Sequence, residues 1–191
     1  DIRRIESKEK FLLYQGAVNE GRGFEALIPA MQHIPYKLVV CGDGNFMARL
    51  KELIQENNVA DKIELKGMLP PEDLIHYTSF ATLGIGLAES EGLNQYFALP
   101  NKFFDYLHAG LPQITMNFPE YESINREFEV AVLIDDLHPQ QLVKKINEVM
   151  ADDAIPQPRK PGRPRVTEPR SSVSTWIPVK YHDRLSRIAM P

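Results

Sequence analysis

The chain carries a single cysteine, Cys41, in 191 residues, so no internal disulfide can brace it. A lone thiol at the end of an apolar run is expected to be buried and inert, and a disulfide-free chain fits a cytoplasmic setting. No stretch approaches the ~20 apolar residues of a membrane-spanning helix. The opening DIRRIESKEK has none of the apolar core of a signal peptide, and a start at Asp1 rather than Met suggests an excised fragment. The five histidines show no metal spacing, and no Ser-His-Asp or Cys-His arrangement stands out, so no resident metal or cofactor is expected. His76 and His108 are expected on helices as surface or satisfied residues. An excess of positive charge is also missing: the formal net charge is −4.

That charge conceals two unlike pieces. Residues 154–191 hold eight Lys/Arg and two Asp/Glu, a net of +6, and seven of the fifteen prolines. Residues 1–153 therefore hold 22 − 8 = 14 basic and 26 − 2 = 24 acidic residues, a net of −10. The expected organisation is one domain over 1–153 and a basic, Pro-rich tail over 154–191, flexible or of separate origin. The acidic domain argues against nucleic acid binding there. An apolar fraction of 43% is enough for a globular core.

Within the domain, short apolar runs end at glycines or turns. Phe11–Gln15 stops at Gly16, Lys37–Cys41 at Gly42-Asp43-Gly44, and Ile63–Lys66 at Gly67. Leu83–Leu87, Gln113–Met116 and Val130–Ile134 complete six expected strands. Between them lie helical spacings: Phe24, Leu27, Ile28 and Met31, with Pro29 warning of a kink or short helix; Phe46, Leu50, Leu53 and Ile54; Leu74, Ile75 and Tyr77; a short helix at Pro119-Glu120; and His138–Met150 with Leu142, Ile146 and Val149 inward. This alternation predicts an α/β fold, a Rossmann-like parallel sheet with helices on both faces. Ligands in such sheets gather outside the carboxyl ends of the strands, where the strand order reverses.

The most informative stretch is Pro100–Pro112, PNKFFDYLHAGLP. It is a helix with marked ends: Pro100 at its first position, Asn101 as the cap, Gly110 as a left-handed stop and Pro112 beyond. Phe103, Phe104, Tyr106 and Leu107 should bury most of it. Lys102 falls in the first turn, at the exposed end, where a cation is unfavourable unless an anion sits in front of it. Asp105 follows at i+3. The residues alone allow two readings, a mouth for a phosphate and a hydroxyl-bearing ligand, or a buried helix with a Lys102–Asp105 ion pair.

This stretch resembles the donor-binding segment of retaining glycosyltransferases of the GT-B fold (glycosyl transferases group 1, family 4-like), and residues 11–152 fit the C-terminal half of that family in order. The resemblance implies transfer of a hexosyl group from a nucleotide-diphosphate sugar, as in polysaccharide biosynthesis, with no metal required. The carbohydrate or lipid-linked acceptor would lie against a missing N-terminal half, with peripheral membrane contact a further implication, and the isolated chain would be inactive. It implies that Arg22 and Lys102 neutralise the leaving diphosphate, Arg22 otherwise being a solvated loop arginine. Gly16, Gly42 and Asn101 would line the donor site, with Gly67, Met68 and Leu69 as the shelf for the base. Asp105 stands where the family places the second acid of its E-x7-E motif, on the ribose. The first acid is replaced by Phe97, and Glu91 or Asn94 is the substitute toward the sugar. The family's Arg after the first glycine is Ala17 here. A related GT-B epimerase is the alternative within this fold.

The tail resembles other things. Arg159–Arg165 (RKPGRPR) resembles an AT-hook, and 172–189 resembles part of a ribbon-helix-helix unit. DNA binding through the tail on a non-catalytic α/β module is therefore the remaining alternative.

Overall fold

The computed structural model describes residues 9–90 and 96–151. The tail, with both of its DNA-binding resemblances, lies outside the described residues, as do Glu91 and Asn94.

Six short strands form one parallel sheet: β1 (Phe11–Gln15), β2 (Lys37–Cys41), β3 (Ile63–Gly67), β4 (Leu83–Gly86), β5 (Gln113–Met116) and β6 (Val132–Ile134). The order across the sheet is β3-β2-β1-β4-β5-β6. The chain therefore winds outward from β1 through β2 to β3, then returns to the other flank of β1 for β4. Beyond the carboxyl ends of β1 and β4 the connections diverge, which opens the crevice such sheets use for ligands. β1 is buried along its whole length, the property of a central strand covered on both faces.

The pleat sends alternate β1 side chains to opposite layers. Leu12 and Tyr14 join the larger core with Phe24 and Leu27 of α1 (Phe24–Ala30), Leu50 of α2 (Met47–Glu56), Tyr121 of α5 (Pro119–Phe128) and Ile146 of α6 (Pro139–Ala151). Phe11 and Leu13 face a second cluster, with Tyr77 of α3 (Pro71–Phe80), Tyr106 of α4 (Asn101–His108) and Leu111. The expected layering is thus present. Pro29 acts as anticipated: α1 is only seven residues long and passes into a tight 3-10 turn at Met31–His33.

Several details differ from the expectations. Ile75 is 61% exposed rather than inward, because Tyr77 and Thr78 take the buried side of α3. Met150, not Val149, completes the inner stripe of α6. β6 begins at Val132, and Leu87 lies beyond β4.

α4 sits close on the sheet for a steric reason. A Cβ at Gly84 of β4 would lie 2.6 Å from the Tyr106 ring, so only glycine lets the helix approach this far. The end of α4 follows the expected stop. Gly110 has φ 66°, its N–H donates to the Leu107 carbonyl at 3.0 Å, and the Leu111 N–H donates to the Tyr106 carbonyl at 2.9 Å. This pair of reversed bonds is the Schellman closure of a helix. The start is different: Pro100 is the cap position, Asn101 the first helical residue, and no side chain caps the end. Asn101 therefore does not cap, and the orphan N–H groups of this turn stay unclaimed by side chains.

Candidate functional site at the mouth of helix α4

The loops after β1 and β2 lock together at the carboxyl edge. Gly16 N–H donates to Cys41 O at 2.9 Å, Val18 N–H to Asp43 O at 3.0 Å, and Phe46 N–H to Val18 O at 3.0 Å. A Cβ on Gly42 would collide with the Gly16 carbonyl oxygen, so the Gly42 turn is required by backbone-to-backbone approach. Asn19 joins in, its Oδ1 accepting from the Asn45 N–H at 3.2 Å. Cys41 is buried as anticipated, and burial pushes its thiol up to about 12.

The glycines around Arg22, Gly21 and Gly23, both take positive φ, 73° and 71°. The Gly21 carbonyl accepts from the Glu89 N–H at 2.9 Å, which fastens this loop to the chain leaving β4. Arg22 is thereby held, half-buried, at the junction of the β1 and β4 exits.

Lys102 is buried, 9% exposed, instead of standing at an open helix end. Its Nζ lies 3.7 Å from the centroid of the Tyr14 ring and has no hydrogen-bond partner. The reason is where α4 points: its first turn abuts the end of β1, and the Lys102 stem passes over Gly16, whose imaginary Cβ would be 3.8 Å from Lys102 Cε. Tyr14 is itself fixed, its hydroxyl donating to Ala17 O at 2.6 Å. Burial, with help from the Arg22 charge, pushes the Lys102 ammonium down to about 7. The ring face attracts the charged form and works the other way.

No Lys102–Asp105 ion pair forms. The exposed Asp105 instead accepts from Gln15 Nε2 through Oδ2 at 3.0 Å. Gln15 Oε1 accepts from Thr78 Oγ1 at 2.8 Å. The Gln15 N–H donates to Tyr106 Oη at 3.1 Å, and the Tyr106 hydroxyl donates to Leu13 O at 3.1 Å. Burial drives the Tyr106 hydroxyl pKa well up, so this phenol acts as a neutral hydrogen-bonding group.

The structure thus brings Gly16, Gly42, Lys102 and Asp105 to one edge, with Arg22 close enough for its charge to act on Lys102. Asn101 is exposed at the same mouth. Gly67 ends β3, two strands away on the same edge, and Met68 and Leu69 follow it. Gly67 has no neighbour within 4 Å of its Cβ position, Met68 is 76% exposed, and Leu69 packs on the smaller core. Gln15, Tyr14 and Thr78 were not singled out in the sequence, and Tyr106 only as a residue of the buried helix face. The one signal was a glutamine closing an otherwise apolar strand directly before Gly16.

Among the described residues no three His, Cys, Asp or Glu side chains gather as metal ligands, and no helix is long and apolar enough to cross a membrane.

Comparisons with known proteins bear on the fold and the family. The chain is 24% identical over 159 residues to a chitobiosyldiphosphodolichol beta-mannosyltransferase of Candida albicans, covering 78% of this chain and 34% of that protein. It spans about a third of the length of the curated relatives it matches. Among solved structures it is similar to Anabaena Alr3699/HepE in complex with UDP and glucose, with TM-score 0.66, 13% identity, and coverage of 82% of this chain and 43% of that one. It is also similar to the C-terminal domain of a glycosyl transferase group 1 protein (LpcC) from Francisella tularensis, with TM-score 0.60, 16% identity, and coverage of 77% and 78%. These likenesses identify the sheet as one half of a GT-B fold. The family description "Glycosyl transferases group 1" matches residues 1–163, and the chain belongs to that family.

Proposed function

We propose that this chain is the donor half of a glycosyltransferase and holds the diphosphate of a nucleotide sugar at the mouth of α4. One observation carries the reading: the Lys102 ammonium is buried, within range of the Arg22 charge, with no counter-ion and no hydrogen bond. A cation kept dry without a partner is costly, and a second cation nearby makes it worse. An anion docked against Lys102, the Gly16 turn and the unclaimed N–H groups of α4 relieves both costs together. As the glycosyl bond breaks, charge grows on the leaving diphosphate, and these fixed donors stabilise it where it develops.

Asp105 is the ribose-binding carboxylate in this reading, and the open surface at Gly67–Leu69 receives the base. Relatives solved with UDP support a nucleotide ligand. The resemblance of Pro100–Pro112 supports retention of anomeric configuration and a hexosyl donor. The two cations serve the diphosphate without a divalent ion, in a cytoplasmic enzyme whose acceptor sits on the other half.

Titration of UDP, UMP and uridine, with GDP and GMP in parallel, tests the reading. Affinity should climb steeply from nucleoside to diphosphate, Arg22→Ala should remove much of that climb, and EDTA should change nothing. Equal binding of uridine and UDP would falsify it.

A further inference from the structure

The amide of Gln15 is a buried polar group that the diphosphate reading leaves unused. It is 3% exposed and closes a strand that is otherwise apolar, FLLYQ. A buried primary amide costs least when both of its ends are bonded, and both are here. The 2.8 Å contact from Thr78 Oγ1 takes the Oε1 end, and a carboxylate can only accept, so the NH2 end must face Asp105. The main chain of Gln15 is held as well, through the Tyr106 hydroxyl. The amide therefore cannot turn away.

Resting on the donor-site reading, we propose that Gln15 is a positioning residue for Asp105, aiming its carboxylate at the ribose hydroxyls of the nucleotide. Asp105 is an exposed side chain, and without a partner it would be free to sample several rotamers. One bond to Oδ2 fixes it while leaving Oδ1 and the remaining lone pairs for ligand hydroxyls. A neutral amide does this without cancelling the charge. An arginine in its place would engage both carboxylate oxygens and leave less acceptor capacity for a ligand. Thr78 is the outer member of the set: its single hydroxyl proton is shared between Gln15 Oε1 and Leu74 O at 2.9 Å, and the shared bond favours one orientation of the Gln15 amide. The strand end, α3 and α4 are thus joined at a single carboxylate.

The experiment compares UDP and GDP with their 2′,3′-dideoxy counterparts by calorimetric titration, taking the tighter nucleotide as reference. The variants are Gln15→Met, Thr78→Val, Asp105→Asn and the Gln15→Met/Asp105→Asn double variant. Asp105→Asn should reduce the preference for the ribose form, which checks the reading beneath. Gln15→Met should reduce that preference about three- to tenfold, the scale of one hydrogen bond, with dideoxy affinity unchanged. It should have no further effect on the preference in the Asp105→Asn background. Thr78→Val should act in the same direction more weakly, and it carries the test if Gln15→Met does not fold. Equal weakening of ribo and dideoxy ligands by Gln15→Met would make Gln15 merely structural. Loss of the ribose preference in Asp105→Asn but not in Gln15→Met or Thr78→Val overturns the positioning role and leaves the donor site standing. An unchanged preference in Asp105→Asn, or no nucleotide bound by the unaltered chain, removes the ribose reading and this proposal together.

Discussion

Lys102 is the residue whose position costs the fold most visibly. Its pKa falls from an ordinary 10.5 to about 7, so between those values the unfolded chain binds a proton that the folded chain does not. Stability therefore rises with pH from about 7 toward 10.5, and the penalty is complete below pH 7. Lys102→Met, which keeps the stem over Gly16 and Tyr14, should raise stability at pH 7 by on the order of 1–3 kcal/mol and flatten the slope above it. Urea denaturation of both forms at pH 6.5, 8 and 9.5 measures this. A less stable Lys102→Met would mean that the Tyr14 ring stabilises the ammonium by more than its burial costs. Little of this was legible in the sequence. First-turn helix residues are usually exposed, and the i+3 spacing of Lys102 and Asp105 suggested a local pair. Which of them meets Gln15 depends on α4 lying across the end of β1, a contact 90 residues distant in the chain.

At the scale of elements, the strands and helices were readable because apolar runs end at glycines or turns. The buried length of β1 and the Gly110 stop follow from local chemistry. The order β3-β2-β1-β4-β5-β6 does not, since no pattern within a strand names its neighbour. The role of Gly84 belongs to this scale too, because it concerns the gap between β4 and α4. Gly84→Ala would set a methyl 2.6 Å from Tyr106 Cδ2 and lift α4 from the sheet. The expected loss is about 1–3 kcal/mol of stability, the range for overpacking a dense core. Nucleotide diphosphate affinity should fall as well, since Lys102 and Asp105 ride on the displaced helix. A melt and a titration of the same protein check both. Lower stability with unchanged affinity would uncouple α4 from the ligand site.

Over the whole molecule, the sheet presents one edge, and the candidate residues that fall among the described residues gather along it. In the donor-half reading that edge holds the nucleotide sugar, and the chain matches about a third of its curated relatives' length. In the donor-half reading this chain alone binds nucleotide diphosphate and transfers no sugar. Incubation with UDP-glucose and GDP-mannose should release no nucleotide above the buffer rate, and multiple turnover would contradict this. In this reading Lys102 waits, partly deprotonated, for an anion. The most direct measurement is calorimetric titration of UDP and GDP at pH 8 in buffers of different ionisation enthalpy, into the unaltered chain and Lys102→Met. Binding of the tighter nucleotide should take up a fraction of a proton, and its affinity should fall as pH rises above 7. Lys102→Met should abolish the uptake and weaken binding about ten- to a hundredfold, the scale of a charge-assisted contact. Equal affinity in the two proteins, with no proton taken up by either, would contradict the account.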